Sequence, residues 1–137
     1  MLTHHHRLPT KPTRIIVLGA RGFIGRTLAA RLVSTGAEVI SLGRQDLDLE
    51  HSSAASQLAG RLASDDTLVF VSAKAPVRDV PMLRANIHMA ETVVTALSRQ
   101  KVAHVVYVSS DAVYADSSEP LTEHSSTAPG SLHGVMH

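Results

Sequence analysis

Hydrophobic positions along the chain fall into two kinds of run. Arg14-Ile-Ile-Val-Leu18 is continuous, β-branched and apolar, the pattern of a strand buried on both faces. Residues 38–42 (EVISL), 67–71 (TLVFV) and 102–109 (VAHVVYVS) are of the same kind, the last being the most strand-like. Between these runs the apolar spacing becomes helical. Ile24, Leu28 and Leu32 recur at helical intervals, with Gly36 placed as a C-cap. Residues 51–63 predict a modest Ala/Leu/Gln helix. Pro81 opens a long helix to about Arg99, with Leu83, Ile87, Ala90, Val94 and Leu97 along one side. The segment QDLDLE, residues 45–50, adds a very short strand, third in order, which brings the predicted number to five. Residues 72–76 and the Ser/Pro/Glu/Thr-rich residues 116–130 are loops.

Strand and helix alternate with short connections, which permit only right-handed crossovers. The pattern predicts an α/β fold, an open, doubly wound parallel sheet with helices on both faces. Residues 1–13 are expected to form a flexible leader, and 14–137 one domain. The HHH triplet within the leader is not taken as a metal site.

Composition narrows the function classes. The chain has 137 residues, 44% of them hydrophobic, which suits a packed core and not disorder. Two Phe, two Tyr and no Trp leave little surface for stacking bases, and a net charge of +1 supplies no field for phosphate backbones. Nucleic acid is therefore not an expected partner. No apolar run reaches the roughly eighteen residues that span a bilayer, so no membrane association is expected. The absence of cysteine excludes disulfides and thiolate metal sites and suits a cytoplasmic location.

Gly19, Gly22 and Gly25 lie in VLGARGFIG, where the first strand must become the first helix. A dinucleotide needs such a loop for tight turning, close backbone approach to the pyrophosphate and close helix–strand packing. The helix N-terminus adds N–H donors and a positive dipole end. The second strand ends Ser41-Leu-Gly-Arg44, so glycine occupies the usual place of the acid that selects NAD. Arg44 follows, and Arg21 lies in the glycine loop; either arginine suits a 2′-phosphate, a modest lean to NADP. Both are equally consistent with solvated surface positions.

The G-x-x-G-x-x-G spacing followed by Phe23-Ile24 resembles the extended short-chain dehydrogenase/reductases, specifically the NAD-dependent epimerase/dehydratase family. The resemblance runs from about Arg14 to the last residue. It implies a Rossmann-type fold, incomplete here, that binds NAD(P) and a nucleotide-sugar or similar small-molecule substrate. It places Gly19, Arg21, Gly22, Phe23, Ile24, Gly25, Arg44, Asp48, Ser72 and Ala73 at the cofactor. Asp48 matches the family aspartate near the adenine, and a turn or helix cap explains it equally well.

The segment VSSDAVY is similar to the family's SS-x-x-VY. Aligned on Tyr114, Ser110 takes the position of the serine that hydrogen-bonds the reacting oxygen. Asp111 matches a dehydratase acid, but Ala112 stands where those enzymes carry a glutamate, which argues against elimination of water. Simple capping of the strand end by Ser109 and Asp111 is the alternative. Pro120-Leu-Thr-Glu123 resembles the loop before the catalytic helix, and Asn86 resembles an asparagine of the family's long helix.

The family then carries Y-x-x-x-K, and this chain has His133-Gly-Val-Met-His137. An imidazole titrates near 6.5 unaided, yet it is shorter than a phenol, and at neutral pH His137 lacks the lysine's charge. The expectation is a slow or altered catalyst, or none. No metal is expected at the histidine pair, which lacks an H-E-x-x-H context. The resemblance also implies a missing strand and a missing substrate domain, so the chain reads as a truncated member. An uncovered apolar face then favours association, for instance as a homodimer. A non-catalytic NAD(P)-binding sensor or regulatory module is the second expectation.

Overall fold

The computed structural model describes residues 11–137; residues 1–10 of the leader, with the HHH triplet, lie outside the described residues. Four parallel strands form the sheet: β1 (Arg14–Leu18), β2 (Glu38–Leu42), β3 (Asp66–Phe70) and β4 (His104–Tyr107). Their spatial order is β2-β1-β3-β4. Helices α1 (Phe23–Ser34), α2 (Ala54–Ala59), α3 (Val80–Arg99) and α4 (Leu132–Met136) complete the fold, with a 3₁₀ turn at Asp111–Val113.

β1 is the centre of the core because its side chains alternate between two apolar clusters. Ile16 and Leu18 join Leu58 of α2 and Met89 and Val93 of α3. Ile15 and Val17 pack on the other face with Leu28 and Leu32 of α1. The sheet is therefore covered on both faces, as the alternating pattern predicts. At its amino edge, Arg14 and Asp66 face each other in register and form a bidentate ion pair at 2.8 Å. Asp66 is fully buried, and the Arg14 guanidinium holds its carboxyl below the usual carboxylate range, with the Ala63 amide adding to the effect.

The predicted third strand does not form, so the sheet has four strands and not five. In QDLDLE the carboxylates bond to their own backbone: Gly43 N–H donates to Asp46 at 2.9 Å, and Glu50 N–H donates to Asp48 at 3.1 Å. These are turn bonds. The apolar alternation arises because Leu47 and Leu49 plug this loop into the core. The helix predicted over 51–63 is shorter, ending at Ala59. Asp66 accepts the Ala63 N–H and so helps fix the chain beyond that end.

The long helix starts at an Asp79 cap, whose side chain accepts from Met82 N–H at 2.8 Å. Its buried side differs from the predicted stripe. Asn86, Met89, Thr92, Val93 and Ala96 face inward, while Ile87 and Val94 are exposed. Two polar residues are buried because each is hydrogen-bonded; Thr92, for example, donates to the Leu49 carbonyl at 2.9 Å. Among the described residues no helix is long and apolar enough to cross a membrane.

Candidate functional site

The strand registers bring Leu18, Leu42, Phe70 and Tyr107 level, so all four strands end at one edge. The strand order reverses between β1 and β3, and doubly wound sheets open their ligand crevice there. The turn out of β1 is held by Gly19 N–H and Ala20 N–H donating to the Leu42 carbonyl at 2.8 and 3.2 Å, and by Gly22 N–H donating to Gly19 O at 3.0 Å. Gly19 has φ +88°, and a Cβ there would also crowd the Ser72 backbone. A Cβ on Gly25 would overlap the Gly19 carbonyl, so α1 can approach this turn only through glycine. Gly22 precedes α1, and no side chain caps the helix. Its first-turn N–H groups therefore lack an intrahelical partner.

A cleft of about 330 Å³ opens beside this turn. Gly19, Arg21 and Gly22 form one wall, and Gly43, Arg44, Asp48 and Glu50 a second. Ser72, Ala73 and Lys74 form the third, and Met89 of α3 contributes below. The sequence-predicted Gly19, Arg21, Gly22, Arg44, Asp48, Ser72 and Ala73 thus meet around one space. Phe23 and Ile24 do not line it. Phe23 is 81% exposed, with the Arg26 guanidinium 5.7 Å from its ring centre. Gly25 sits buried beneath the loop.

The charged side chains at the mouth are all paired. Arg21 lies 3.3 Å from Asp46, Arg44 3.2 Å from Asp48 and 3.6 Å from Glu50, and Lys74 2.6 Å from Glu50. The Gly43 amide, then Arg21, hold the Asp46 carboxyl below its ordinary value. The Glu50 amide does the same for Asp48, with a smaller contribution from Arg44. Asp48 therefore both makes the turn and lines the cleft. Asp46, Glu50 and Lys74 were not singled out in the sequence, because a short turn and a lone lysine carry no periodic signal.

Asn86 braces the third wall. Its Oδ1 accepts from Lys74 N–H at 2.8 Å, and its Nδ2 donates to Lys74 O at 3.0 Å and Met82 O at 2.9 Å. One buried amide thus fixes the two peptide groups on either side of the Lys74 Cα.

The second group of predicted residues lies past β4. The Ser110 hydroxyl donates to Asp111 at 3.0 Å and accepts from Ala112 N–H at 3.2 Å, capping the 3₁₀ turn. It is Ser110, and not Ser109, that makes the cap. Gly134 brings α4 against this turn, where a Cβ would overlap the Ala112 carbonyl. The rings of His133 and His137 meet edge-on with centroids 4.9 Å apart. His137 Nδ1 lies 3.1 Å from the Tyr107 hydroxyl, and the Tyr107 ring packs 5.5 Å from Phe70. Burial, then the neighbouring His133, push the His137 imidazole below its usual pKa; burial raises the Tyr107 phenol. His133 Nδ1 is buried without a hydrogen-bond partner among the described residues. Tyr107 was missed because it reads as one more apolar strand residue. Among the described residues no group of three metal-ligating side chains occurs.

A glycine turn from the first parallel strand into an uncapped helix, opening where the strand order reverses, defines a Rossmann-type doubly wound domain. More narrowly, the chain belongs to the NAD dependent epimerase/dehydratase family, whose model matches residues 15–136. It is 31% identical over 109 residues to GDP-L-fucose synthase from Azorhizobium caulinodans, covering 76% of this chain and 35% of that one. A 36-residue stretch is 61% identical to dTDP-6-deoxy-L-talose 4-dehydrogenase (NAD(P)(+)) from Kitasatospora kifunensis, covering 26% of this chain and 11% of the relative. The solved structure of MoeE5 in complex with UDP-glucose and NAD is similar at a TM-score of 0.78 and 28% identity, over 90% of this chain and 45% of that one. The chain therefore spans less than half the length of these relatives.

Proposed function

We propose that the chain is the NAD(P)-binding part of an epimerase/dehydratase-like oxidoreductase whose substrates are nucleotide sugars. The observation that carries this reading is the interlock of Gly19 and Gly25, a cradle that any Cβ would fill, beneath the uncapped end of α1. Gly19, Gly22 and the first-turn N–H groups of α1 suit a pyrophosphate. Arg21, Arg44 and Asp48 line the side suited to the adenosine, and Ser72 and Ala73 form the opposite wall. Arg21 and Arg44 are exposed at the mouth and Gly43 carries no acid, so the mouth admits a 2′-phosphate as well as a ribose hydroxyl. When bound, the nicotinamide supplies the hydride acceptor and donor.

The chain's own contribution to chemistry is smaller. Ser110, at the carboxyl edge of β4, would orient the reacting sugar oxygen, with Asp111 holding the hydroxyl. Ala112 beside Asp111 fits oxidation, reduction or epimerisation better than loss of water. Of the two histidines, His133 is the one not tied to Tyr107 and would be the one to move a proton. His137 is tied to Tyr107, and its lowered pKa leaves it neutral near pH 7, so it does not replace the lysine's charge. That neutral, diverted imidazole also favours a second reading, a non-catalytic NAD(P)-binding regulatory module. The exposed Ile87 and Val94 of α3 fit self-association as a homodimer, which light scattering would read out.

Titration calorimetry with NADH and NADPH tests the shared claim. Binding of at least one with a dissociation constant in about the micromolar range is expected, and no heat with either defeats both readings. A nucleotide-sugar turnover assay favours the enzyme if activity is present and is lost in His133→Ala.

A further inference from the structure

One carboxylate joins two walls of the cleft beside the glycine turn. Glu50, on the loop after β2, pairs with Lys74 Nζ at 2.6 Å and lies 3.6 Å from Arg44 Nη2. Lys74 comes from the loop after β3, where Asn86 fixes its peptide from both sides. Arg44 is shared further with Asp48 at 3.2 Å, and Arg21 is matched by Asp46 at 3.3 Å. The mouth therefore holds three cations and three carboxylates, each cation already in an ion pair.

The chemical consequence concerns the two forms of the dinucleotide. A phosphate monoester brings about 1.5 to 2 negative charges near neutral pH. At a mouth whose charges cancel, it meets no surplus of positive potential, whereas a ribose hydroxyl needs none. Glu50 is 26% exposed, so its field is only partly screened by solvent. It also lies outside both acidic positions that the sequence brings forward, the end of β2 and Asp48.

We propose that Glu50 is a specificity-determining residue of the cleft, engaging Lys74 and Arg44 so that neither is free for a 2′-phosphate and NADP gains little over NAD. The inference rests on the dinucleotide reading above. It makes Arg44 a cofactor determinant only to the extent that Glu50 releases it, and adds Lys74 as the second cation of the same subsite.

The test is calorimetry with NADPH and NADH on the full chain, the Glu50→Gln variant and the Glu50→Gln/Lys74→Gln double variant. Glu50→Gln is expected to tighten NADPH about tenfold at low salt while NADH stays within about twofold. Adding Lys74→Gln is expected to return the ratio towards that of the unaltered chain. An unchanged ratio in Glu50→Gln, or equal tightening of both ligands, overturns the proposal. Should that variant not fold, the unaltered chain decides: its NADPH-to-NADH ratio is expected to change less than about threefold from 50 to 500 mM salt. A steep fall would reveal free cations on the phosphate and overturn it as well. If the unaltered chain binds neither dinucleotide, the reading of the cleft itself fails, which is distinct from binding both with an unmoved ratio.

Discussion

β1 and β4 are built from similar residues and end at the same edge of the sheet, yet they hold their functional turns by different means. In β1, Ile16 and Val17 are completely shielded, whereas Val105 and Val106 of β4 are 44% and 38% exposed. The turn after β1 is fixed by backbone against backbone, Gly25 on the Gly19 carbonyl and Gly19 on Ser72. The turn after β4 is held chiefly by side-chain bonds around Ser110, with α4 leaning on it through Gly134. Steric exclusion admits one residue type, while side-chain bonding tolerates exchange.

The largest expected effect lies on the β1 side. Arg14→Met leaves the Asp66 carboxylate buried with only the Ala63 amide, and a loss of about 3 kcal/mol is expected in chemical denaturation. The sign with pH follows from the lowered carboxyl pKa. The stabilisation is complete above the ordinary value of about 4 and is lost as pH falls towards the folded-state value. An acid transition that is as steep in Arg14→Met as in the unaltered chain would contradict that assignment.

Next come two of the buried glycines, one on each side. Gly25→Ala forces backbone apart and is expected to cost about 2 kcal/mol and to weaken dinucleotide binding more than about tenfold. Gly134→Ala meets a similar overlap, but short α4 can shift away from the 3₁₀ turn. A cost under about 1 kcal/mol is expected, with dinucleotide binding unaltered within about twofold. Equal losses in thermal melts of the two variants would break the contrast.

The smallest effect is at Tyr107. Tyr107→Phe keeps the ring beside Phe70 and removes the bond to His137, at under about 1 kcal/mol. Because the folded chain holds the His137 imidazole below its free pKa, it binds fewer protons than the unfolded chain. The docking of α4 should therefore weaken as pH falls through about 6.5. The dependence should persist in Tyr107→Phe, since burial and His133 cause it, and histidine proton shifts in NMR would follow it directly.

The β1 side was also the more legible in the sequence. A run such as RIIVL followed by spaced glycines has few ways to fold, and the loop, α1 and the walls at Arg44 and Ser72 follow from it. QDLDLE misleads because alternation is shared by strands and by a turn that inserts two leucines into a core. The predicted face of α3 fails at Asn86 and Thr92, where hydrogen bonds to distant loops make polar residues suitable for burial. Glu50 and Lys74 are 24 positions apart, and nothing in their local sequence tells of the other. The pairing of His137 with Tyr107 is equally long-range.

Met89 is the most carboxyl-terminal residue lining the cleft beside the glycine turn, and Asn86, which braces its third wall, lies just before it. Protein chains are made amino end first and can begin to fold during synthesis. Once α3 has left the ribosome, the three strands and every wall of that cleft are available, while β4, Ser110 and both histidines of α4 have still to emerge. The order of the gene thus lets the nascent chain acquire a place for a ligand before it acquires the groups that would act on one.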